Sequence, residues 1–455
     1  MSKARTLTLI VMLALVAAGC DRSPMNPGRG DLAPGLAGAE RSAGGDDGCG
    51  DLPTAPANQR VDRYDPSFPH PTQVTNPLFP IRELQRVVML GNSDGEPLRV
   101  ETTLLPRTKT IRVNGRRVET LVSQYIAWLD GRIHEVALDW YAQDDRGAVW
   151  YFGEDVFNYE AGRVADTDGT WLAGRDGPAA MIMPPNPRVG DVWRPENICG
   201  VVFEEVIATA TGVTVQGPRG PVSGALAVRE LHMDGTLEDK TFAPHYGEFS
   251  TGSGANLEAV ALAVPTDALS GPTPTELKIL STGASKIFRA AKHKNWNVAS
   301  STFAAMTAAW NAYRGRGVPP MLEAQMNVAI DELDEALDAR QIAAARQASI
   351  DVGRASLDFQ LQFRPRTKID VAHIGLWLKQ LVVDAAARDR DAVRGDVATI
   401  RWIQSRFERP SERDFDDQLS AVHDGVLGAN PAAAVERAER LEEHHAQTSG
   451  SDSDM

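Results

Sequence analysis

The sequence predicts a two-domain chain: an antiparallel all-β domain, built as a curved sheet or barrel-like, followed by an all-α domain of helical hairpins or bundles. Three observations predict it. Alternating runs punctuated by Asn-Gly and Asp-Gly pairs fill residues 60–268, apolar residues recur at helical spacing over 273–447, and a Gly/Pro/Ser-rich stretch precedes both. The 455 residues exceed one ordinary core, and 42% apolar content is enough to fill two.

Residues 1–19 have a positive start (Lys3, Arg5), an apolar run from Leu7 to Ala18, and then Ala17-Ala18-Gly19-Cys20. The run is 12 residues long, too short for a hydrocarbon core that needs about 20, so it reads as a signal peptide. The small residues before Cys20 resemble the lipobox of bacterial lipoproteins, with Ala17 where the usual pattern has Leu. That resemblance implies cleavage before Cys20 and lipid on its sulfur. Two or three acyl chains hold a protein on a membrane where one does not. It also implies a cell-envelope location, on the outer side of the cytoplasmic membrane or at the outer membrane. Asp21 resembles an inner-membrane retention signal.

Residues 20–59 hold almost no large apolar side chain and are expected to be a disordered tether. With Cys20 lipidated, Cys49 and Cys199 remain in an oxidising compartment, and a disulfide between them is expected.

In the β region, Val113-Asn114-Gly115-Arg116 and Leu129-Asp130-Gly131-Arg132 place residues that tolerate positive φ between alternating runs, the signature of two adjacent hairpins. Turns at Asp144–Gly147 and Glu160–Arg163 extend the meander to at least five strands between Val100 and Trp171. The Pro-rich Met183–Pro187 interrupts it, and runs at Val201–Val215, Gly224–His232 and Leu257–Val264 resume it.

In the α region, Thr273, Pro274 and Glu276 are expected to form a capping box with Pro at the first helical position. Breaks at 293–295, 315–320, 338–341, 363–367, 388–390, 409–411 and 428–431 divide it into about eight helices, the last opened by Asn430-Pro431. The tips Lys294-Asn295-Trp296-Asn297, Ala339-Arg340-Gln341 and Ala387-Arg388-Asp389-Arg390 look alike, compatible with stacked hairpins or with four-helix bundles. Trp296, Trp310, Trp377 and Trp402 read as interhelical core. Residues 448–455 are expected to be a disordered tail.

The most distinctive segment is Asp139-Trp140-Tyr141-Ala142-Gln143-Asp144 followed by Val149-Trp150-Tyr151-Phe152-Gly153-Glu154-Asp155. With Thr75-Asn76-Pro77-Leu78-Phe79-Pro80 upstream and Phe242-Ala243-Pro244-His245-Tyr246-Gly247 downstream, it resembles uncharacterised exported bacterial domains. The resemblance implies a domain boundary and carries no activity. Alternation sets Trp140 opposite Asp139 and Tyr141, and Trp150 and Phe152 opposite Tyr151. One reading is core packing; the other is a groove lined by Tyr125, Trp128, Trp140, Trp150 and Tyr159 that takes an apolar ligand.

Asp139, Glu154 and Asp155 are the carboxylates where an acid and a base could pair, although strand ends favour Asp in any case. Glu442-x-x-His445 and Asp370-x-x-His373 have the spacing of metal ligands on one helical face but no accompanying Glu set. No residue is therefore assigned a catalytic or metal-binding role, and no cofactor is expected. His-Glu-x-x-His, Gly-Lys-Ser/Thr and Cys-x-x-Cys motifs are missing from the sequence. With 61 acidic and 47 basic residues the net charge is -14, which disfavours nucleic acid. The expectation is a lipid-anchored envelope protein that binds or scaffolds, its partners being the membrane, other envelope proteins or an apolar ligand. The alternatives are a metal-binding protein using the helical region and an exported hydrolase using the β-domain carboxylates.

Overall fold

The computed structural model describes residues 49–50, 52–407, 413–427 and 431–451. Cys20 and the first part of the expected tether lie outside them. Fourteen strands come first: β1 Arg86–Ser93, β2 Glu96–Val113, β3 Arg116–Leu129, β4 Arg132–Gln143, β5 Val149–Glu160, β6 Arg163–Asp166, β7 Trp171–Leu172, β8 Ala180–Met183, β9 Val192–Ile198, β10 Val202–Gly217, β11 Gly220–His232, β12 Leu237–Ala243, β13 Gly247–Thr251 and β14 Glu258–Val264. They form one antiparallel sheet in the order β6-β5-β4-β3-β2-β1-β14-β13-β12-β11-β10-β9, with β7 and β8 also paired to β5. Asn114-Gly115 and Asp130-Gly131 make the expected tight turns, all four residues at positive φ.

The sheet is not closed by a ladder. Its two ends nevertheless approach each other, because Trp193 Nε1 on β9 donates to the Ile182 carbonyl on β8 at 3.3 Å. The chain before β1 packs on this structure. Tyr64 and Phe68 meet the Trp150 ring edge-on at centroid distances of 5.5 and 6.4 Å. Residues 52–59, expected to close a disordered tether, are held as well: Ala55 N–H donates to Glu205 Oε1 at 2.6 Å. A disulfide joins Cys49 to Cys199.

Eight helices follow: α1 Thr275–Lys292, α2 Trp296–Arg314, α3 Pro320–Asp338, α4 Ile342–Gln360, α5 Arg366–Ala387, α6 Arg390–Gln404, α7 Arg413–Leu427 and α8 Pro431–Ser451. The three similar tips share one device, since Lys294, Arg340 and Arg388 all sit at positive φ. α1 packs on α2 and α4, and α5 on α6 and α8, so the helices form two groups of four joined through α4 and α5. Two expectations fail at the ends. Pro274 (φ -52°, ψ 141°) stands before α1 and not at its first helical position, which leaves Thr273 one residue too early to cap. α8 runs on to Ser451 where a tail was expected.

The helices cover one face of the sheet and share its cores. Val88 and Leu262 pack with Leu277, Leu280 and Phe359. Ile126 and Val136 pack with Leu378, Val397 and Ile400. Trp377 and Trp402, read as interhelical, face the sheet instead: Trp377 stacks on Trp128 at 6.1 Å, and Trp402 Nε1 donates to the Tyr159 hydroxyl at 2.8 Å.

An ion network locks this interface. Arg86 meets Glu101 at 3.1 Å and Asp370 at 2.5 Å, while Arg406 Nη1 lies 2.9 Å from each of the same two carboxylates. Arg99 joins Glu101 to Asp358 at 2.8 and 2.7 Å. Burial alone would push the Glu101 carboxyl up, but the guanidiniums of Arg86, Arg406 and Arg99 hold it well below its ordinary value.

Candidate functional site

The opposite face of the strands lines a partly open cavity of about 110 Å³ within the curl of the sheet. Pleating dictates its lining, because residues two apart on a strand share a face. Ser123 and Tyr125 enter from β3, and Glu135, Ala137, Asp139 and Tyr141 from β4. On β5 strict alternation would send Glu154 outward with Trp150 and Phe152. A bulge intervenes: Gly153, at φ +115°, lets the strand step past one position, and the register becomes Asp139↔Glu154 and Tyr141↔Tyr151. A side chain at residue 153 would place its Cβ 2.2 Å from the Trp171 carbonyl oxygen. Glycine therefore sets which acid faces inward. Asp155 is left half exposed, 3.8 Å from Lys109.

The far half of the sheet contributes more acids. Register aligns Glu204 with Glu196 on one side and with His232 on the other, giving a row across β9, β10 and β11. Glu230 sits two residues from His232 on β11, and its carboxylate lies 2.6 Å from the Lys240 ammonium on β12. The cavity lining thus includes six carboxyl groups (Glu135, Asp139, Glu154, Glu204, Glu230, Glu248) and one ammonium, Lys240. Most of the remaining wall is apolar: Phe79, Pro80, Ile81 and Leu84 from the segment before β1, Val87 and Met89 from β1, and Phe242 and Tyr246.

Of the lining acids, Glu154 lacks a hydrogen-bond donor at both oxygens, and beside the cavity Glu196 Oε1 also lacks one. Glu154 and Glu196 instead touch each other, a contact that becomes a hydrogen bond when one of them keeps its proton. Burial raises the Asp139 carboxyl to about 7, against a hydrogen bond from the Tyr151 hydroxyl at 2.9 Å that favours the charged form. Burial, then the charge of Glu204, raises Glu196 to about 8. Burial and neighbouring acids push Glu135 and Glu154 well above the ordinary carboxylate range. The space holds more carboxyls than cations, with Lys240 as its ammonium and several of the acids held toward their protonated form.

The three sequence segments singled out above converge here. Phe79 meets Tyr141 at 5.0 Å, and His245 N–H donates to the Pro77 carbonyl at 2.9 Å. Asn76 anchors the first segment by donating to the carbonyls of Gly147 and Pro184 at 3.1 and 2.9 Å.

Of the five aromatic residues expected to line a ligand groove, only Tyr125 borders this cavity. Trp140 lies under the Lys109 ammonium, 3.1 Å from its ring centroid, and Trp150 donates to Asp144 Oδ2 at 2.9 Å. Trp128 and Tyr159 face the helices, Trp128 on the edge of a separate cleft between sheet and helices. Period-two patterning separates two faces without saying which is inside, and here both are buried.

The helical pairs with metal-like spacing are otherwise engaged. Asp370 belongs to the arginine network, Glu442 pairs with Lys379 at 3.0 Å, and His445 Nε2 lies 2.9 Å from the Val371 carbonyl. The sequence reading missed Glu196, Glu204, Glu230, His232 and Lys240. Their signal was faint but present: charged residues at inward positions of apolar runs, as in Val202-Phe203-Glu204 and Glu230-Leu231-His232.

Comparison of the chain with protein-family models, with curated proteins and with solved structures finds no match.

Proposed function

We propose that this chain is a ligand-binding protein whose curled sheet holds a small ligand with a positively charged group and a short apolar body. The observation that carries the reading is the two-sided cavity, with a cluster of buried acids on one part of its wall, Glu154 among them without a donor at either oxygen, and Phe79, Leu84, Met89 and Phe242 on another. An apolar molecule alone would leave those carboxyls uncompensated, whereas an ammonium supplies donors and charge together. The expected apolar-ligand site is thereby moved from the outer aromatics to the interior and given a charge preference.

We also propose that the protein acts at the cell envelope, anchored through lipid on Cys20. The lipobox-like segment and the Cys49–Cys199 disulfide support this, since disulfides persist in oxidising compartments. Replacing Cys20 by Ser should release the protein from membranes, and retention there would refute the anchor. For the ligand, native mass spectrometry of protein extracted from its own host should show a stoichiometric adduct of an organic amine. An adduct that is anionic or uncharged would refute the charge preference.

A second reading rests on the register that places Asp139 beside Glu154. Two adjacent acids with raised pKa values can exchange a proton with a bound substrate, so acid–base catalysis on the same ligand class fits the site.

A further inference from the structure

We infer that Glu204, Glu230 and His232, on adjacent strands β10 and β11, form a site for one divalent first-row transition metal ion in the inner wall of the sheet. The three residues offer ligand atoms that all lie within 4.8 Å of one another, and all three are buried. They share a face for a simple reason: Glu204 is register-paired with His232, and Glu230 is two residues away on the same strand. Glu196, the other register partner of Glu204, is 3% exposed and has one oxygen without a donor, so it stands ready as a fourth ligand. His232, 4% exposed, lies between two carboxylates, 3.3 Å from Glu204 through Nδ1 and 3.7 Å from Glu238 through Nε2.

The charge count favours a dication. Three carboxylates, one metal dication and the Lys240 ammonium beside Glu230 sum to neutrality, so Lys240 completes the balance and does not exclude the ion. A donor set of one imidazole and carboxylates suits zinc or manganese better than calcium or magnesium, which favour oxygen-only sites.

The site goes beyond the organic-cation reading and can be tested apart from it. The full-length chain, stripped with chelator, is titrated with zinc by calorimetry and loaded with cobalt(II) for absorption spectroscopy. Expected are one zinc per chain and a cobalt d–d spectrum with nitrogen and oxygen ligation. His232→Ala and Glu204→Gln should each weaken zinc at least 100-fold, while His423→Ala, at a half-buried histidine on α7 away from the site, changes nothing. Circular dichroism checks that each variant folds, and His232→Gln, closer in shape, replaces His232→Ala if that variant does not. No zinc bound in the micromolar range, or equal affinity in the site variants and the parent, overturns the inference. Zinc binding that survives in a chain shown to take no organic cation would refute the ligand proposal and leave this one standing.

Discussion

The two faces of the sheet bury charge in opposite ways. On the helix-covered face, three guanidiniums (Arg86, Arg99, Arg406) meet three carboxylates (Glu101, Asp358, Asp370), each contact in the range 2.5–3.1 Å. On the enclosed face, six carboxyls meet one ammonium, and Glu154 has no donor at either oxygen. Burial is nearly the same, with Arg86 and Glu154 both at 0% exposure. A paired buried charge fixes geometry, here the docking of helices on sheet. An unpaired one costs stability unless a ligand compensates it, and such costs persist mainly where they serve binding or chemistry.

The comparison predicts opposite outcomes for similar substitutions. Arg86→Met should destabilise the protein by about 3–5 kcal/mol, because it leaves Glu101 and Asp370 short of charge in a dry interface; urea unfolding reads this directly, and a loss below measurement error would break the contrast. Gly153→Val should cost roughly 1–3 kcal/mol from backbone conformation alone, more with the Trp171 clash, and should also weaken ligand binding by turning Glu154 away. Unchanged binding in a folded Gly153→Val variant would show that the bulge does not set the site.

Glu154→Gln should have the reverse sign, stabilising the ligand-free protein by on the order of 1 kcal/mol, since it removes a carboxyl whose pKa burial has raised. A destabilisation as large as that of Arg86→Met would mean that the interior acids are structurally paired after all.

The pH dependence sharpens the same point. Asp139, lifted to about 7, and Glu196, lifted to about 8, hold protons in the folded state that the unfolded chain gives up at ordinary carboxylate pH. The folded form therefore binds more protons between roughly pH 4 and 8, and stability falls as pH rises through that window. Tm measured from pH 5 to pH 8 without ligand should decline, and the decline should shrink in Glu196→Gln. A flat profile would contradict the raised values.

The parts legible in the sequence were those set by local chemistry. Asn114-Gly115 and Asp130-Gly131 fixed two hairpins, and the helix breaks near residues 294, 340 and 388 coincide with residues at positive φ. The boundary between the strand and helix patterns likewise follows from a change of period between β14 and α1. What depended on long-range assembly was hidden. Nothing near Trp140 or Trp150 says that residues 64–68 and 109 cover them. Nothing local joins Glu154 to Glu196, because the curl that brings β5 to β9 is a property of the whole sheet. The phase shift at Gly153 defeated strict alternation at the residue where it mattered most.

The measurement that bears most directly on the account is calorimetry at pH 8 with three probes of one size: n-hexylammonium, n-hexanol and hexanoate. The account predicts one hexylammonium bound per chain, weaker binding of hexanol, no binding of hexanoate, and at least a tenfold loss for hexylammonium in Glu154→Gln. Hexanoate binding as tightly as hexylammonium, or hexylammonium binding untouched by the loss of Glu154, would contradict it.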